Sequence, residues 1–174
     1  MINDWDCLFM SMAYLVSMKS EDPSTKIGAV IVDPSKCLRG VGYNGLPRKL
    51  PHDCSYNVRP LKYDYYEHAE RNAIYNCGRI GVPVIGCVMY TQGMPCSDCC
   101  RGIIQSGISE VVIHQKWQSM PGWEKWAESQ KVAENMFSET GVKLRFYDGP
   151  IVTDIIGMRG DVSFCPDHNL EKND

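Results

Sequence analysis

Apolar residues recur at helical spacing near the start of the chain. Trp5, Leu8, Phe9, Met12, Leu15 and Val16 fall three and four apart behind Asn3-Asp4, which can cap, so a helix is predicted to about Lys19. After the turn residues Asp22-Pro23-Ser24 the pattern changes. Residues 27–32 form a β-branched run that closes at Asp33-Pro34-Ser35, and residues 38–43 follow it, which predicts a hairpin. Residues 44–66 carry Gly45, Pro47, Pro51 and Pro60 without a sustained period, so they predict a loop long enough to wall a site. Beyond it the pattern predicts helices over 67–79, 96–106 and 122–140, and strands over 87–91, 111–113 and 142–147. A hairpin followed by strands alternating with helices predicts an α/β sandwich around a mixed sheet of about five strands. Both 67–79 and 96–106 open on residues with metal-binding side chains. Residues 1–150 are read as one domain and 151–174 as a C-terminal extension, in which Ile151-Val152 and Ile155-Ile156 can pack while 169–174 is polar and frayed.

Composition narrows the function classes. At 174 residues the chain fits a single domain with a substantial core. A formal net charge of −3 with 22% charged residues lacks the basic footprint of a nucleic-acid binder, so a small-molecule substrate is expected. Nine cysteines are many, but the number is odd, and the first residues lack a charged segment followed by an apolar one. Reduced thiols in a cytoplasm are expected, rather than a secreted disulfide framework. No apolar run approaches the roughly twenty residues of a membrane-spanning helix.

The chemistry concentrates in two motifs, His68-Ala69-Glu70 and Pro95-Cys96-Ser97-Asp98-Cys99. His68, Cys96 and Cys99 are three compact zinc donors, and a catalytic zinc site takes three protein ligands where a structural one takes four. Two thiolates and an imidazole leave a bound Zn²⁺ formally neutral yet Lewis acidic enough to activate water. Glu70 is a carboxylate that such a metal does not need, placed to shuttle protons. A non-catalytic zinc module would have no use for it, and a thioredoxin-like reading of Cys-x-x-Cys gives no role to His68 or Glu70. The pattern H-x-E with P-C-x-x-C is the signature of zinc-dependent nucleobase deaminases, in which the glutamate is general acid and base. His52, Cys54, Cys77 and Cys100, and likewise Cys165-Pro166-Asp167-His168, lack a tight ligand spacing and read as core or tail residues rather than as a second zinc site. Trp117, Trp123 and Trp126 are expected in packing or subunit contact.

Four separated blocks, residues 22–32, 42–47, His68-Ala69-Glu70-Arg71-Asn72-Ala73-Ile74 and the cysteine motif, resemble the deoxycytidylate deaminases of the cytidine deaminase superfamily over about residues 5–115. The resemblance implies a three-layer α-β-α sandwich, one catalytic zinc per subunit, and hydrolysis of dCMP to dUMP and ammonia for thymidylate synthesis. It implies substrate contacts at Asn44, toward the sugar 3′-hydroxyl, at Ala69, and at Lys26, toward the 5′-phosphate. It also implies a homo-oligomer, hexamer or dimer, and control by dCTP and dTTP in which Arg79, Arg48 and Lys49 are the candidate effector contacts. At one place the pattern departs. Many members carry a Tyr-Arg pair after the strand that follows the zinc cysteines, and this chain has His114-Gln115-Lys116-Trp117, where Lys116 could act only as a point charge. The alternative it keeps open is a zinc deaminase of another cytosine nucleoside or aminated heterocycle.

Overall fold

The computed structural model describes residues 4–51, 53–120, 122, 124–152, 157–159 and 162–164. The first helix, α1 (Trp5–Ser17), is capped by Asp4, whose carboxylate accepts from the Asp6 N–H at 3.0 Å. Strands β1 (Gly28–Val32) and β2 (Leu38–Tyr43) form the expected hairpin. Asp33 closes its turn by accepting from Ser35 Oγ (2.6 Å) and the Cys37 N–H (2.9 Å). Within residues 44–66, expected as an open loop, lie a 3₁₀ turn at Cys54–Asn57 and a short helix α2 (Lys62–Tyr65). The chain then alternates: α3 (Ala69–Arg79), β3 (Val88–Thr91), α4 (Ser97–Gln105), β4 (Glu110–His114), α5 (Ala127–Thr140) and β5 (Lys143–Tyr147).

The five strands form one mixed sheet in the order β2-β1-β3-β4-β5. β1 runs antiparallel to both neighbours, and β3, β4 and β5 run parallel. Strand residues alternate between two cores, as a period of two requires. Ala29, Ile31, Met89, Val111 and Ile113 face Ala69, Ala73 and Cys77 of α3, Cys100 and Ile103 of α4, and Ala133 and Phe137 of α5. Val30, Val32, Tyr90 and Val112 face Cys7, Phe9, Met10 and Ala13 of α1. Helices therefore cover both faces, and the architecture is the three-layer α-β-α sandwich. α4 and α5 pack on one face of the sheet, as crossovers of one hand between successive parallel strands do.

Close approach at β2 fixes α3. A Cβ on Gly42 would stand 2.3 Å from Ala73 N and 2.4 Å from Ala69 O, so only glycine lets the helix backbone lie there. Asn72 and Asn76 pin the same face by donating to the Tyr43 and Val41 carbonyls, each at 2.8 Å. The helix expected over 122–140 begins later: Glu124–Trp126 is a 3₁₀ turn, preceded by Gly122 at φ 81°. It ends at Gly141 in the left-handed conformation, the usual glycine stop. At the C-terminal side, Ile151 and Val152 pack against the α1 core, and the Val152 N–H donates to Ser11 Oγ. β6 (Gly157–Arg159) and β7 (Val162–Phe164) pair as a separate two-stranded ribbon. Ile155, Ile156, Trp123, His52 and the segment 165–174 lie outside the described residues.

Candidate active site

The carboxyl end of β3 leads through Gly93 and Met94 to α4, and the N-termini of α3 and α4 meet beside it. His68 is the N-cap of α3 and Cys96 the N-cap of α4, and neither side chain caps its helix. Both are free to turn toward each other. His68 Nδ1 lies 3.4 Å from Cys96 Sγ and 3.4 Å from Cys99 Sγ, and the three donor atoms fall within 4.8 Å of one another. This soft N/S set, a group of three among the described residues, fits Zn²⁺ in the manner of a catalytic rather than a four-ligand structural site. Cys100 and Cys77 point elsewhere, toward the Ala133 carbonyl (3.5 Å) and the Arg39 carbonyl (3.6 Å).

Electrostatics prepare the same set. The Cys99 thiol and the His68 ring, both beside Cys96, hold its thiol down to about 4, and two helix N-termini favour such a thiolate. Cys99 is pushed up by the neighbouring Cys96 sulfur and by burial. Of the pair, Cys96 is the sulfur favoured as thiolate. Glu70, in the first turn of α3, is 5% exposed, and burial pushes its carboxyl up against the opposing pull of His68.

A cleft lies over these residues, and His68, Ala69, Glu70 and Cys96 line it. Asn44, Ile27, Asp22 and Thr25 form one wall. Asn44 is buried and organises that wall: Oδ1 accepts from the Ile27 N–H (2.8 Å), and Nδ2 donates to the Thr25 carbonyl (2.8 Å) and to Asp22 Oδ2 (3.0 Å). Asp22 also accepts from the Ser24 and Thr25 N–H groups and pairs with Lys62 Nζ at 2.6 Å. Its desolvation is outweighed by the Lys62 ammonium and those amides, which keep the carboxyl low. Arg59, Tyr63, Lys125 and Trp126 complete the lining, with Arg59 reaching Ser24 Oγ at 3.4 Å beside that wall.

The expected site residues divide. His68, Glu70, Cys96, Cys99, Asn44 and Ala69 come together. Lys26 does not line the cleft, and its Nζ donates to the Ser20 carbonyl at 2.6 Å. Lys116 sits in the exposed 3₁₀ turn Gln115–Ser119, also off the cleft. Arg79 closes α3 on the surface, Arg48 donates to Asn76 Oδ1, and Lys49 is exposed at φ 70°. Trp117 packs edge-on against Tyr14, in keeping with a packing role, whereas Trp126 stands edge-on to the His68 ring at 6.1 Å and lines the cleft. Sequence reasoning did not assign Asp22, Tyr63, Lys125 or Trp126 to the site. No sequence signal marks Lys125 or Trp126 for the cleft, because both fall inside the helix expected over 122–140.

Comparison with known proteins agrees with the geometry. Residues 3–115 match the model of the cytidine and deoxycytidylate deaminase zinc-binding region. The chain is 36% identical over 144 residues to an uncharacterized deaminase of the luxG 3′ region of Aliivibrio fischeri, covering 83% of this chain and 94% of that one. It is 35% identical over 154 residues to the deoxycytidylate deaminase of Homo sapiens, covering 82% and 79% respectively. The dCMP deaminase of cyanophage S-TIM5 superposes with a TM-score of 0.64 at 21% identity, over 84% of this chain and 100% of the phage chain, which is a likeness of fold.

Proposed function

We propose, from the premise that this chain belongs to the cytidine and deoxycytidylate deaminase family, that it hydrolyses dCMP to dUMP and ammonia. The observation that carries this reading is the buried Glu70 beside three convergent soft donors at a cleft. Zinc held by His68, Cys96 and Cys99 would supply the Lewis acidity that activates water for attack on C4 of the cytosine ring. Glu70 takes the proton that water loses and delivers it to N3 as C4 becomes tetrahedral. It then takes the proton of the new C4 hydroxyl and passes it to the 4-amino group, which leaves as ammonia as the C4–oxygen bond becomes the carbonyl of uracil. One carboxyl used twice works best when its pKa lies close to the working pH, and burial moves Glu70 in that direction. Asn44 Oδ1, already accepting from Ile27, keeps a second lone pair for the sugar 3′-hydroxyl, and the Ala69 backbone borders the base.

The same reading makes residues 1–150 the deaminase unit and 151–174 an appendage docked through Ile151 and Val152. It also makes the protein a cytoplasmic homo-oligomer responsive to dCTP and dTTP, with Arg79, Arg48 and Lys49 as effector contacts. Superimposable dCMP saturation curves with and without dCTP would remove the regulatory part.

A substrate panel tests the activity. Zinc-loaded protein is given dCMP, deoxycytidine, CMP and dCTP, and ammonia is measured. The reading predicts the highest kcat/KM with dCMP; preference for deoxycytidine would make the enzyme a nucleoside deaminase.

A further inference from the structure

The wall of the cleft holds a buried charge pair that no step of the reaction uses. Asp22 and Lys62 are 4% and 5% exposed, and Lys62 Nζ lies 2.6 Å from Asp22 Oδ1. The partners come from separate segments, one in the turn ahead of β1 and the other in α2, and both line the cleft. Taking two charges out of water is costly, and an apolar pair of similar volume is often no less stable, so stability alone is a weak reason to keep them. Their further contacts point to another. Asp22 Oδ1 also accepts from the Ser24 N–H (2.8 Å), Ser24 Oγ (3.0 Å) and the Thr25 N–H (3.0 Å), and Lys62 Nζ reaches the same Ser24 Oγ at 2.6 Å. The second oxygen, Oδ2, accepts from Asn44 Nδ2 at 3.0 Å. One oxygen of the carboxylate therefore shapes residues 22–25, and the other holds Asn44.

Asn44 is where these contacts converge. A primary amide offers a carbonyl that accepts and an NH₂ that donates, and its neighbours decide which points where. Both Nδ2 hydrogens are committed, one to Asp22 Oδ2 and one to the Thr25 carbonyl at 2.8 Å, while Oδ1 accepts from the Ile27 N–H at 2.8 Å. Turning the amide over would set Oδ1 against two acceptors and Nδ2 against a donor. The group is thus fixed with one unspent capacity, the second lone pair of Oδ1, in a residue that lines the cleft. It can accept from a ligand there but cannot donate to one. Thr25 stands in the turn that Asp22 closes, so two of the three contacts that orient the amide depend on this carboxylate.

We infer that Asp22, held by Lys62, is a positioning residue that presents Asn44 as an acceptor only, so that the site selects a sugar with a free 3′-hydroxyl over one that is 3′-deoxy or 3′-esterified. The inference rests on the deaminase reading for the placement of the sugar against Asn44. A hydroxyl supplies the hydrogen that Oδ1 can still take, whereas an ester oxygen at the same place sets lone pair against lone pair. A sugar without the hydroxyl leaves the buried carbonyl short of a partner, which is how a polar site rejects an analogue. The ammonium of Lys62 balances a carboxylate that must be buried to reach Asn44.

Zinc-loaded wild type is compared with Asp22→Asn, with Asp22→Asn/Lys62→Met, which leaves no unpaired buried charge, with Asn44→Ala and with Asp22→Asn/Asn44→Ala. For each, kcat/KM is measured with dCMP and its 2′,3′-dideoxy analogue, and the affinities of dUMP and 2′,3′-dideoxyuridine monophosphate by calorimetry. Wild type is expected to favour the 3′-hydroxyl by about tenfold or more in both measurements. The first two variants are expected to bring that ratio to within about threefold, through KM rather than kcat, and Asn44→Ala to do the same with no further change when Asp22→Asn is added. An unchanged ratio in the Asp22 variants, an equal fall for both sugars, or an Asp22 effect that persists in full on the Asn44→Ala background overturns the positioning role. If wild type turns over no cytosine compound, the deaminase reading fails, and the calorimetry still decides the inference: wild type that binds dUMP no tighter than its 3′-deoxy analogue refutes it.

Discussion

His68 and Cys96 hold N-cap positions without spending their side chains on capping, and that is how two helix starts become one donor set. Truncating a donor acts on the metal directly. His68→Ala, Cys96→Ser and Cys99→Ser are each expected to lower bound zinc from one per chain to a small fraction of that, read by elemental analysis after dialysis, with far-ultraviolet circular dichroism little changed. Full zinc occupancy in Cys99→Ser would remove that cysteine from the set. These residues were legible in the sequence because each motif is short and its spacing carries the chemistry. The Asp22–Lys62 pair was not, because forty residues separate partners that only the folded wall brings to 2.6 Å. Lys62 in isolation reads as one more loop cation. Lys26, in contrast, is a phosphate candidate only through the family resemblance, and its ammonium donates to the Ser20 backbone carbonyl.

At the scale of elements, the contact of α3 with β2 decides where Glu70 stands. Gly42→Ala would force a Cβ to within 2.4 Å of the backbone of α3, so the helix must move or the strand must bend. A loss of about 1–3 kcal/mol in unfolding free energy by urea titration is expected, together with a fall in turnover, because His68 and Glu70 travel with the helix. Gly78→Ala supplies the contrast: no atom lies within 4 Å of the added carbon, and the helical position gains up to about 1 kcal/mol. Equal effects at the two glycines would show that close approach is not what holds α3. Strand and helix order was legible from apolar periodicity at 5–17, 28–32 and 88–91, where burial and pattern coincide. The start of α5 was not, since Glu124, Lys125 and Trp126 fit a helix pattern while the backbone runs as a 3₁₀ turn that delivers Lys125 and Trp126 to the cleft. Likewise α2 is a single turn, too short for a period to show.

Across the whole molecule, one ion network ties the chain's beginning to its last sheet strand. Arg145 of β5 donates to both carboxylate oxygens of Asp6 in α1 and, through Nε, to Glu110 of β4 at 2.8 Å, while Tyr90 Oη of β3 donates to Asp6 at 2.7 Å. The Arg145 guanidinium holds the Asp6 carboxyl below its ordinary value, against partial burial. A carboxyl so held adds stability above its unfolded pKa, about 3.9, and loses it as pH falls through the lower native value. Asp6→Asn is therefore expected to unfold at lower denaturant than wild type at pH 7, with the difference shrinking as pH drops below about 4. A difference independent of pH would assign the effect to packing. No helix among the described residues is long and apolar enough to cross a membrane, and the sandwich as a whole serves to hold two helix starts and one carboxylate around a cleft. The most direct test of that account sets wild type beside Glu70→Gln, with zinc per chain and ammonia released from dCMP measured on the same preparations. Equal zinc with a fall in turnover of roughly 10²–10⁴-fold or more is the predicted result; equal zinc with near-parental turnover would contradict the role of Glu70 and the mechanism built on it.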